Sequence, residues 1–344
     1  MKRAMFVSML LLLIGVVAQA GDDCPSVGGW SFICGPSAAE DLVLIPGTHW
    51  IVGSGMSEGR NPGRLHLINA DQKGWEIAYP GSSPVNELDQ KAYPGCTGAP
   101  DAKNFGAHGI AIRSDGNKTS TLLAVNHGRE AVEVFKINSA GVKPSISWIG
   151  CVPMNETISL NSVAFLPAGG FIATKFYDPK APDGFSSIMA QKITGGVLEW
   201  HPETGVKPIA GTDLSGANGI EVSKDGKTLY VAAWGAQELV RFSLGQGPIQ
   251  KTVVKLDFMP DNLRWAPDGT ILIAGQNRTA SSKGGFAAFK GWTVARLNPK
   301  TMQVTEVAKD NGDLPLQNVS VAIEIEGSLW IGSFRGDRVG YKTK

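Results

Sequence analysis

The feature that most constrains this chain is a two-stranded segment that occurs six times. Each copy has a polar residue, an alternating apolar strand, a tight turn and a second apolar strand. The turns read PG, SDG, PAGG, KDG, PDG and EG, which are typical of β-hairpins. The six copies cover residues 40–55, 108–127, 161–175, 218–234, 261–275 and 320–334.

The spacing of the copies predicts the rest of the architecture. Successive copies begin 43 to 68 residues apart, which leaves room for two more strands in each interval. Apolar segments such as residues 133–137, 196–200, 239–243 and 293–297 suit those strands. Four antiparallel strands in each of six units predict an all-β fold, a six-bladed β-propeller. A β-sandwich needs only about seven to nine strands. The sequence has no linker, so we expect residues 21–344 to form one domain.

Composition and the N-terminus narrow the function classes. The 344 residues have a net charge of +1, so we expect no nucleic-acid partner. Lys2 and Arg3 precede a mostly apolar stretch over residues 6–17, and Ala18-Gln19-Ala20 has the form of a cleavage site. An uncleaved anchor is the alternative, but the stretch is short for a membrane span. We predict a signal peptide over residues 1–20, no stable membrane span, and a secreted or periplasmic protein.

The cysteines are consistent with export. The chain has four cysteines, Cys24, Cys34, Cys96 and Cys151, without the CxxC spacing of zinc or redox sites. Three pairings are open to four cysteines. We favour Cys24–Cys34 and Cys96–Cys151, because each joins segments that are near in sequence.

The polar residues that open the six copies should converge at one end of the propeller channel. Such residues also cap turns before strands, which is the structural alternative. Carboxylates or carboxamides in four of the six copies favour a bound ion, because buried polar groups need partners. Calcium takes about six to eight oxygen ligands. The residues that open the copies are Glu40, Asp41, His108, Asn161, Asn218, Asp261, Asn262 and Ser320. We predict that the five named next form a Ca²⁺ site. In that site Glu40 and Asp261 supply charge, and Asn161, Asn218 and Asn262 supply neutral oxygens.

The hairpin geometry predicts which residues surround this site. The second strand of each copy returns to the face where the first began, so His127 should lie beside His108 at the channel mouth. An isolated histidine is more often structural, but two at the tips of one hairpin favour a functional role. The same rule predicts a largely apolar pocket rim, typical of a small-molecule site, from Met56, Lys175, Phe176, Tyr177, Trp234, Gln276 and Phe334.

These motifs resemble those of the paraoxonase family of arylesterases and lactonases. HGIAI, LLAVNH and VEVFKI, between residues 108 and 137, are similar to that family's His-Gly-Ile, Val-Asn-His and Val-Glu-Leu-Phe strands. SAAEDLVLIP, SLNSVAFLP, GANGIEVSKDGKTLYVA and PDNLRWAPDG resemble its other inner strands in the same order, so the resemblance covers about residues 38–334. It implies a catalytic calcium on the five ligands above, His108 as general base and His127 as a proton shuttle. The wider group includes gluconolactonase-like and strictosidine-synthase-like propellers.

The chain departs from the family at three places. The resemblance implies a second, structural calcium held by Asp41 and the Ile110 carbonyl, but Ser162 replaces the acidic residue that would complete it. The family's long-range disulfide needs a C-terminal cysteine, which is absent here, so the ends must be joined differently or by strand pairing alone. The sequence Lys175-Phe176-Tyr177 also differs from the family at the rim, which leaves the substrate open.

The function predicted from these features is calcium-dependent hydrolysis of lactones or aryl esters, with a small-molecule substrate. Calcium would polarise the carbonyl and water activated by His108 would attack it. This mechanism requires no serine nucleophile. Two alternatives remain. One is a sugar-lactone hydrolase or a strictosidine-synthase-like enzyme on the same scaffold, and the other is a non-enzymatic binding propeller with a structural ion. The oligomeric state stays open.

Overall fold

The computed structural model describes residues 24–57, 63–245, 247–279 and 289–343, and these form a nearly all-β structure. The predicted signal peptide, residues 1–20, lies outside the described residues. The first strand is β1 (Ser31–Cys34), and the first three blades follow in chain order. They are β2 (Ala39–Leu44), β3 (Trp50–Gly55), β4 (Arg64–Asn69) and β5 (Trp75–Tyr79); β6 (Val85–Asn86), β7 (Ala107–Gly116), β8 (Thr119–Asn126), β9 (Ala131–Asn138) and β10 (Ser145–Pro153); and β11 (Ser159–Phe165), β12 (Phe171–Tyr177), α1 (Gly184–Met189), β13 (Gly196–His201) and β14 (Gly205–Pro208).

The last three blades repeat the same order of strands. They are β15 (Ala217–Val222), β16 (Thr228–Ala233), β17 (Glu238–Ser243) and β18 (Gln250–Lys255); β19 (Met259–Trp265), β20 (Ile271–Arg278), β21 (Phe289–Leu297) and β22 (Val304–Asp310); and β23 (Val319–Ile325), β24 (Ser328–Ser333) and β25 (Arg338–Thr343), with β1 completing the sheet. The predicted six-bladed propeller is confirmed. Blade 2 has a fifth strand, because β6 pairs in parallel with β10.

The ring closes by strand pairing between the two ends of the described chain. β1 is the outermost strand of blade 6 and runs antiparallel to β25, with Phe32 opposite Gly340. The favoured disulfides are confirmed: Cys24 is bonded to Cys34 at the end of β1, and Cys96 to Cys151 in β10. The pairing of β1 with β25 therefore joins the two ends of the described chain, and the Cys24–Cys34 disulfide links the preceding segment to β1.

Apolar side chains hold neighbouring blades together. Six buried clusters in the described part of the chain each lie at one contact between adjacent blades. Between blades 1 and 2, for example, Leu67 and Tyr79 pack with Phe105, Phe135 and Trp148. This follows from the alternation seen in the sequence, because both faces of an inner strand meet another blade. The innermost strands β2, β7, β11, β15, β19 and β23 thereby surround the channel.

Blade 1 contains a buried histidine outside the channel. His66 in β4 is 3% exposed, its Nε2 donates to the Ser37 carbonyl at 3.0 Å, and its ring meets Trp75 edge-on. Burial, with a smaller effect from the charge of Arg64, lowers the pKa of His66 to about 4, although the bond to Ser37 opposes the shift. The folded protein therefore holds this ring neutral.

We expect the stability of the protein to fall between pH 6.5 and pH 4 because of His66. A depressed pKa means that the unfolded state binds a proton that the folded state does not, so the contribution is complete above the unfolded pKa and lost as pH falls. The loss should be about 3 kcal/mol in the free energy of unfolding. Denaturant titrations across this range would measure it for the wild type and His66→Gln. The variant should give a flatter profile, whereas the outer-strand control His201→Gln should follow the wild type; parallel profiles for all three would contradict the assignment.

Candidate metal centre and active site

A β-bulge at the start of each inner strand builds the site. The register of all six inner strands shifts within their first residues, for example between Ala39 and Asp41 and between Pro260 and Leu263. The residues inside the shifts are the polar residues that open the six sequence copies. A bulge turns side chains out of the regular alternation, so these side chains point to the axis instead of into the contacts between blades.

Two glycines allow the bulged strands to approach one another. A Cβ on Gly109 would lie 2.5 Å from the Asn161 carbonyl oxygen, and a Cβ on Gly219 would lie 2.4 Å from the Asp261 carbonyl oxygen. Real side chains do not reach such distances, so only glycine fits at these positions. The HG and NG pairs in the sequence therefore carry a packing requirement as well as a polar group.

The bulges bring the five predicted calcium ligands together. Glu40, Asn161, Asn218 and Asp261 line one cavity of about 130 Å³ with His108. The fifth, Asn262, donates from Nδ2 to Glu40 Oε1 at 2.5 Å. All five predicted ligands are buried. Ser320 stays beside them through its hydroxyl, which donates to the Glu40 carbonyl at 2.6 Å.

Four side-chain oxygen atoms of this group lack hydrogen-bond partners among the described residues. Glu40 Oε2 and the side-chain oxygens of Asn161, Asn218 and Asn262 are buried and accept no hydrogen bond from any described residue. Burial, helped by Asp41 and Asp261, raises the pKa of Glu40 well above its usual value, and burial raises the pKa of Asp261 to about 7. In the described chain no three His, Cys, Asp or Glu side chains converge as a metal cluster. Two carboxylates and three carboxamides are an oxygen-only set, so the residues present fit calcium.

His108 lines the same cavity, and His127 contacts His108 from behind. His108 Nδ1 is 2.6 Å from His127 Nε2, and His108 Nε2 is 3.7 Å from Glu40 Oε1. On its far side, His127 Nδ1 is 2.6 Å from Glu130 Oε1. The three side chains therefore form a continuous line that starts at a carboxylate and ends at the oxygen group.

The hydrogen-bond network assigns the protons along this line. The Glu130 carboxylate can only accept, so His127 donates from Nδ1. His127 Nε2 then accepts from His108 Nδ1, and His108 Nε2 is left with a free lone pair toward the cavity. Burial, with the neighbouring His127, lowers the pKa of His108 well below its usual value. The ring of His108 is therefore held neutral, with Nε2 as a hydrogen-bond acceptor that faces the cavity.

Glu130 is a residue that the sequence analysis missed. It lies in the turn after β8 with φ at 41°, and its Oε2 accepts from the Leu160 backbone at 3.3 Å. It therefore links the hairpin of blade 2 to the inner strand of blade 3. Its position three residues after His127 in the returning turn was the available signal.

The rim of the cavity is more apolar than the sequence predicted. Met56, Phe176, Trp234 and Phe334 line it, together with Phe185 from helix α1. The sequence analysis found no helical pattern and so missed Phe185. Ile188 of the same helix packs with Trp234, Met259 and the ring of Phe289.

Three predicted rim residues do not line the cavity. Lys175 faces a groove on the other side of blade 3, because it precedes Phe176 and neighbours on a strand point to opposite faces. Tyr177 packs against the Phe176 ring at 5.9 Å. Gln276 is fully buried, where it accepts from Trp234 Nε1 at 2.8 Å and donates to Asp261 Oδ2 at 2.8 Å. Gln276 thus fixes a wall residue to a candidate ligand.

The predicted second calcium site is occupied by a side chain of the protein. Arg264 donates to Asp41 Oδ2 and, at 2.6 Å, to the Ile110 carbonyl, which are the two groups expected to bind the ion. The hydroxyl of Ser162 is buried and unpaired with the described residues. A second calcium on Asp41 and the Ile110 carbonyl stays a prediction, which the contacts of Arg264 with both groups oppose.

Comparisons with known proteins agree with this arrangement. Residues 40–337 match the arylesterase family. Human serum paraoxonase/lactonase 3 is 26% identical over 86% of this chain and 83% of its own length, and human serum paraoxonase/arylesterase 2 is 28% identical over 68% and 67%. Among solved structures, a luciferin-regenerating enzyme (TM-score 0.56, 12% identity, 91% and 93% covered) and a putative gluconolactonase (TM-score 0.56, 16% identity, 94% of each chain) share the fold. The family match spans the whole ring from Glu40 to blade 6, so the chain belongs to the arylesterase family of ester-hydrolysing enzymes.

Proposed function

We propose that this protein is a calcium-dependent hydrolase of apolar lactones or aryl esters. One observation carries the proposal: four neighbouring buried oxygen atoms lack partners among the described residues, and three of them belong to residues that line the cavity together with His108. An unpartnered polar cluster is costly unless a ligand completes it. A neutral base beside such a cluster matches the needs of ester hydrolysis by water.

The five oxygen-bearing residues would hold the ion at the floor of the cavity, namely Glu40, Asn161, Asn218, Asp261 and Asn262. Bound there, calcium would supply a Lewis acid that polarises the ester carbonyl and stabilises negative charge on its oxygen. The matches to paraoxonases, whose names include lactonase and arylesterase, support this chemistry.

The histidines would handle the proton. His108 Nε2 accepts it from the attacking water, and the positive charge that develops is shared through Nδ1 with His127. Glu130 holds His127 in the tautomer that leaves His108 Nε2 free, so it acts as a positioning residue. His108 and His127 are the catalytic pair of this proposal.

The cavity walls favour an apolar substrate over a sugar lactone. Met56, Phe176, Phe185 and Phe334 have no polar group to offer to sugar hydroxyls. Trp234 has one, but its Nε1 donates to Gln276. A sugar would have to give up its hydrogen bonds to water without replacement, which costs free energy. An aryl or alkyl group would gain from burial against these rings.

We also propose that the protein is exported by cleavage after residue 20. The two disulfides support an oxidising compartment. No helix in the described ranges is both long and apolar enough to cross a membrane.

A substrate panel with controlled calcium tests the proposed function. The mature protein should hydrolyse an aryl ester and a lactone with an alkyl side chain faster than a sugar lactone. Activity should disappear on exhaustive chelation and return when calcium is added back. Activity that survives chelation would contradict the metal, and a preference for the sugar lactone would favour the alternative enzyme. No hydrolysis of any substrate would favour the non-enzymatic propeller.

A further inference from the structure

A buried arginine lies between four inner strands of the channel. The side chain of Arg264 in β19 is 8% exposed. Its Nη2 donates to Asp41 Oδ2 and, at 2.6 Å, to the Ile110 carbonyl, and its Nε donates to the Leu42 carbonyl at 3.1 Å. Its Nη1 donates to the Leu263 carbonyl at 2.9 Å and is 3.4 Å from Glu221 Oε1. Strands β2, β7, β15 and β19 all contribute.

The oxygens around the guanidinium resemble the ligands of a hard cation. Two are carboxylates and three are backbone carbonyls, and together they come from four inner strands, with Asp41 and Leu42 adjacent on β2. Asp41 is further fixed by the backbone amides of Leu42 and Ile110, each at 2.9 Å. A carboxylate held in this way cannot move to follow a different partner. The pocket is therefore preformed for a positive charge.

The two polar groups in the channel differ in one respect. The group formed by Glu40 and its neighbours has four oxygens without partners and no positive charge of its own. In the group around Arg264, neither Asp41 nor Glu221 has an unpaired oxygen buried among the described residues. The first group is incomplete without a ligand, and the second is completed by the chain itself.

The charges in the channel support the same division. Four carboxyl groups are buried there, on Glu40, Asp41, Glu221 and Asp261, against the single charge of Arg264. When all four carboxyl groups are ionised, one divalent ion at the first group reduces the excess to a single negative charge. A second divalent ion bound to the oxygens around Arg264 would be repelled by the positive charge of the guanidinium at short distance.

We infer that the guanidinium of Arg264 takes the place of a second metal ion, so that the channel binds one divalent cation and not two. The count of one rests on the proposed function, which supplies the first site. The role of Arg264 does not, because its contacts are complete without any ion. The positive charge at this position thus comes from the side chain of Arg264 and not from a bound metal ion.

Calcium binding to the full mature chain tests this inference. Equilibrium dialysis or calorimetry should give one tight equivalent for the wild type. Arg264→Ala removes the guanidinium and leaves its oxygens free, so this variant should bind one equivalent more than the wild type. Its Tm should also rise in millimolar calcium by more than that of the wild type. Arg296→Ala is the matched control, since it removes a paired arginine from the same blade and should leave the count unchanged.

Each outcome decides for or against the inference. Two tight equivalents in the wild type would overturn it, as would a folded Arg264→Ala that gains none. No binding by the wild type would contradict the calcium site of the proposed function, and the gain in Arg264→Ala would still decide the role of Arg264. If that variant does not fold at any calcium concentration, Arg264→Lys replaces it. Lysine keeps the charge, so one equivalent is expected and a second would refute the inference.

Discussion

His108→Gln is expected to lower kcat/KM for aryl ester or lactone hydrolysis by about 10²- to 10⁴-fold, which is the usual effect of losing a positioned general base. Calcium affinity and Tm should change little, because His108 supplies no oxygen to the proposed ion. Steady-state kinetics beside calcium titration would measure both quantities. His201→Gln, on an outer strand, should match the wild type in all of them. A His108→Gln variant that binds calcium and keeps wild-type activity would show that this histidine is structural.

Substitutions of His127 and Glu130 should lower the activity by smaller amounts than substitution of His108. His127→Gln should cost less than His108→Gln, because water can partly replace a shuttle. Glu130→Gln should cost less again, and the loss should fall on kcat with KM unchanged, since Glu130 does not line the cavity. Glu130→Asp should restore part of kcat if the carboxylate sets the tautomer. A loss of Tm in Glu130→Gln with normal kcat would instead indicate a role limited to joining blades 2 and 3.

Removal of calcium is expected to lower the stability of the folded ring. An ion that binds only the folded ring adds RT ln(1 + [L]/Kd), about 2.7 kcal/mol at a hundredfold excess over Kd. Exhaustive chelation should therefore lower Tm and abolish activity together, and calorimetric scans with and without calcium would measure the shift. An unchanged melting curve would contradict a calcium that joins four blades.

The Asp261→Ala variant tests the proposed calcium ligand set. Asp261 carries one of the two negative charges in the proposed ligand set, so both calcium affinity and activity should fall. The Tm of the variant should respond less to added calcium than that of the wild type. Asp268→Ala is the matched control, because Asp268 is an exposed turn residue of the same blade. If Asp261→Ala retains wild-type calcium affinity, the ligand set is wrong.

The propeller and the convergence of its polar residues could be predicted from the sequence, because both depend on local rules that repeat. A hairpin turn and an alternating strand specify each unit, and six equivalent units leave little freedom for the rest. Glu40 and Asn262 meet across 222 residues for this reason alone. The same logic correctly placed His127 beside His108.

The residues that could not be predicted depend on the direction of single side chains. Lys175 and Phe176 are neighbours, and only the register of β12 decides which one faces the cavity. Gln276 lies at the expected height but points inward to Asp261. Arg264 follows the DN pair by two residues, and no rule of spacing shows that a long side chain crosses the channel to Asp41. Helix α1 has only six residues, too few for a periodic pattern to be recognised.

The pairing of β1 with β25 determines at what stage of synthesis the active site can assemble. The strand at Ser31 pairs with the strand at Tyr341, so β25 must be synthesised before the ring can close. Until then the bulged strands have no common axis, and their oxygens are ordinary solvated groups. We therefore expect activity to appear only after β25 has been made and has paired with β1.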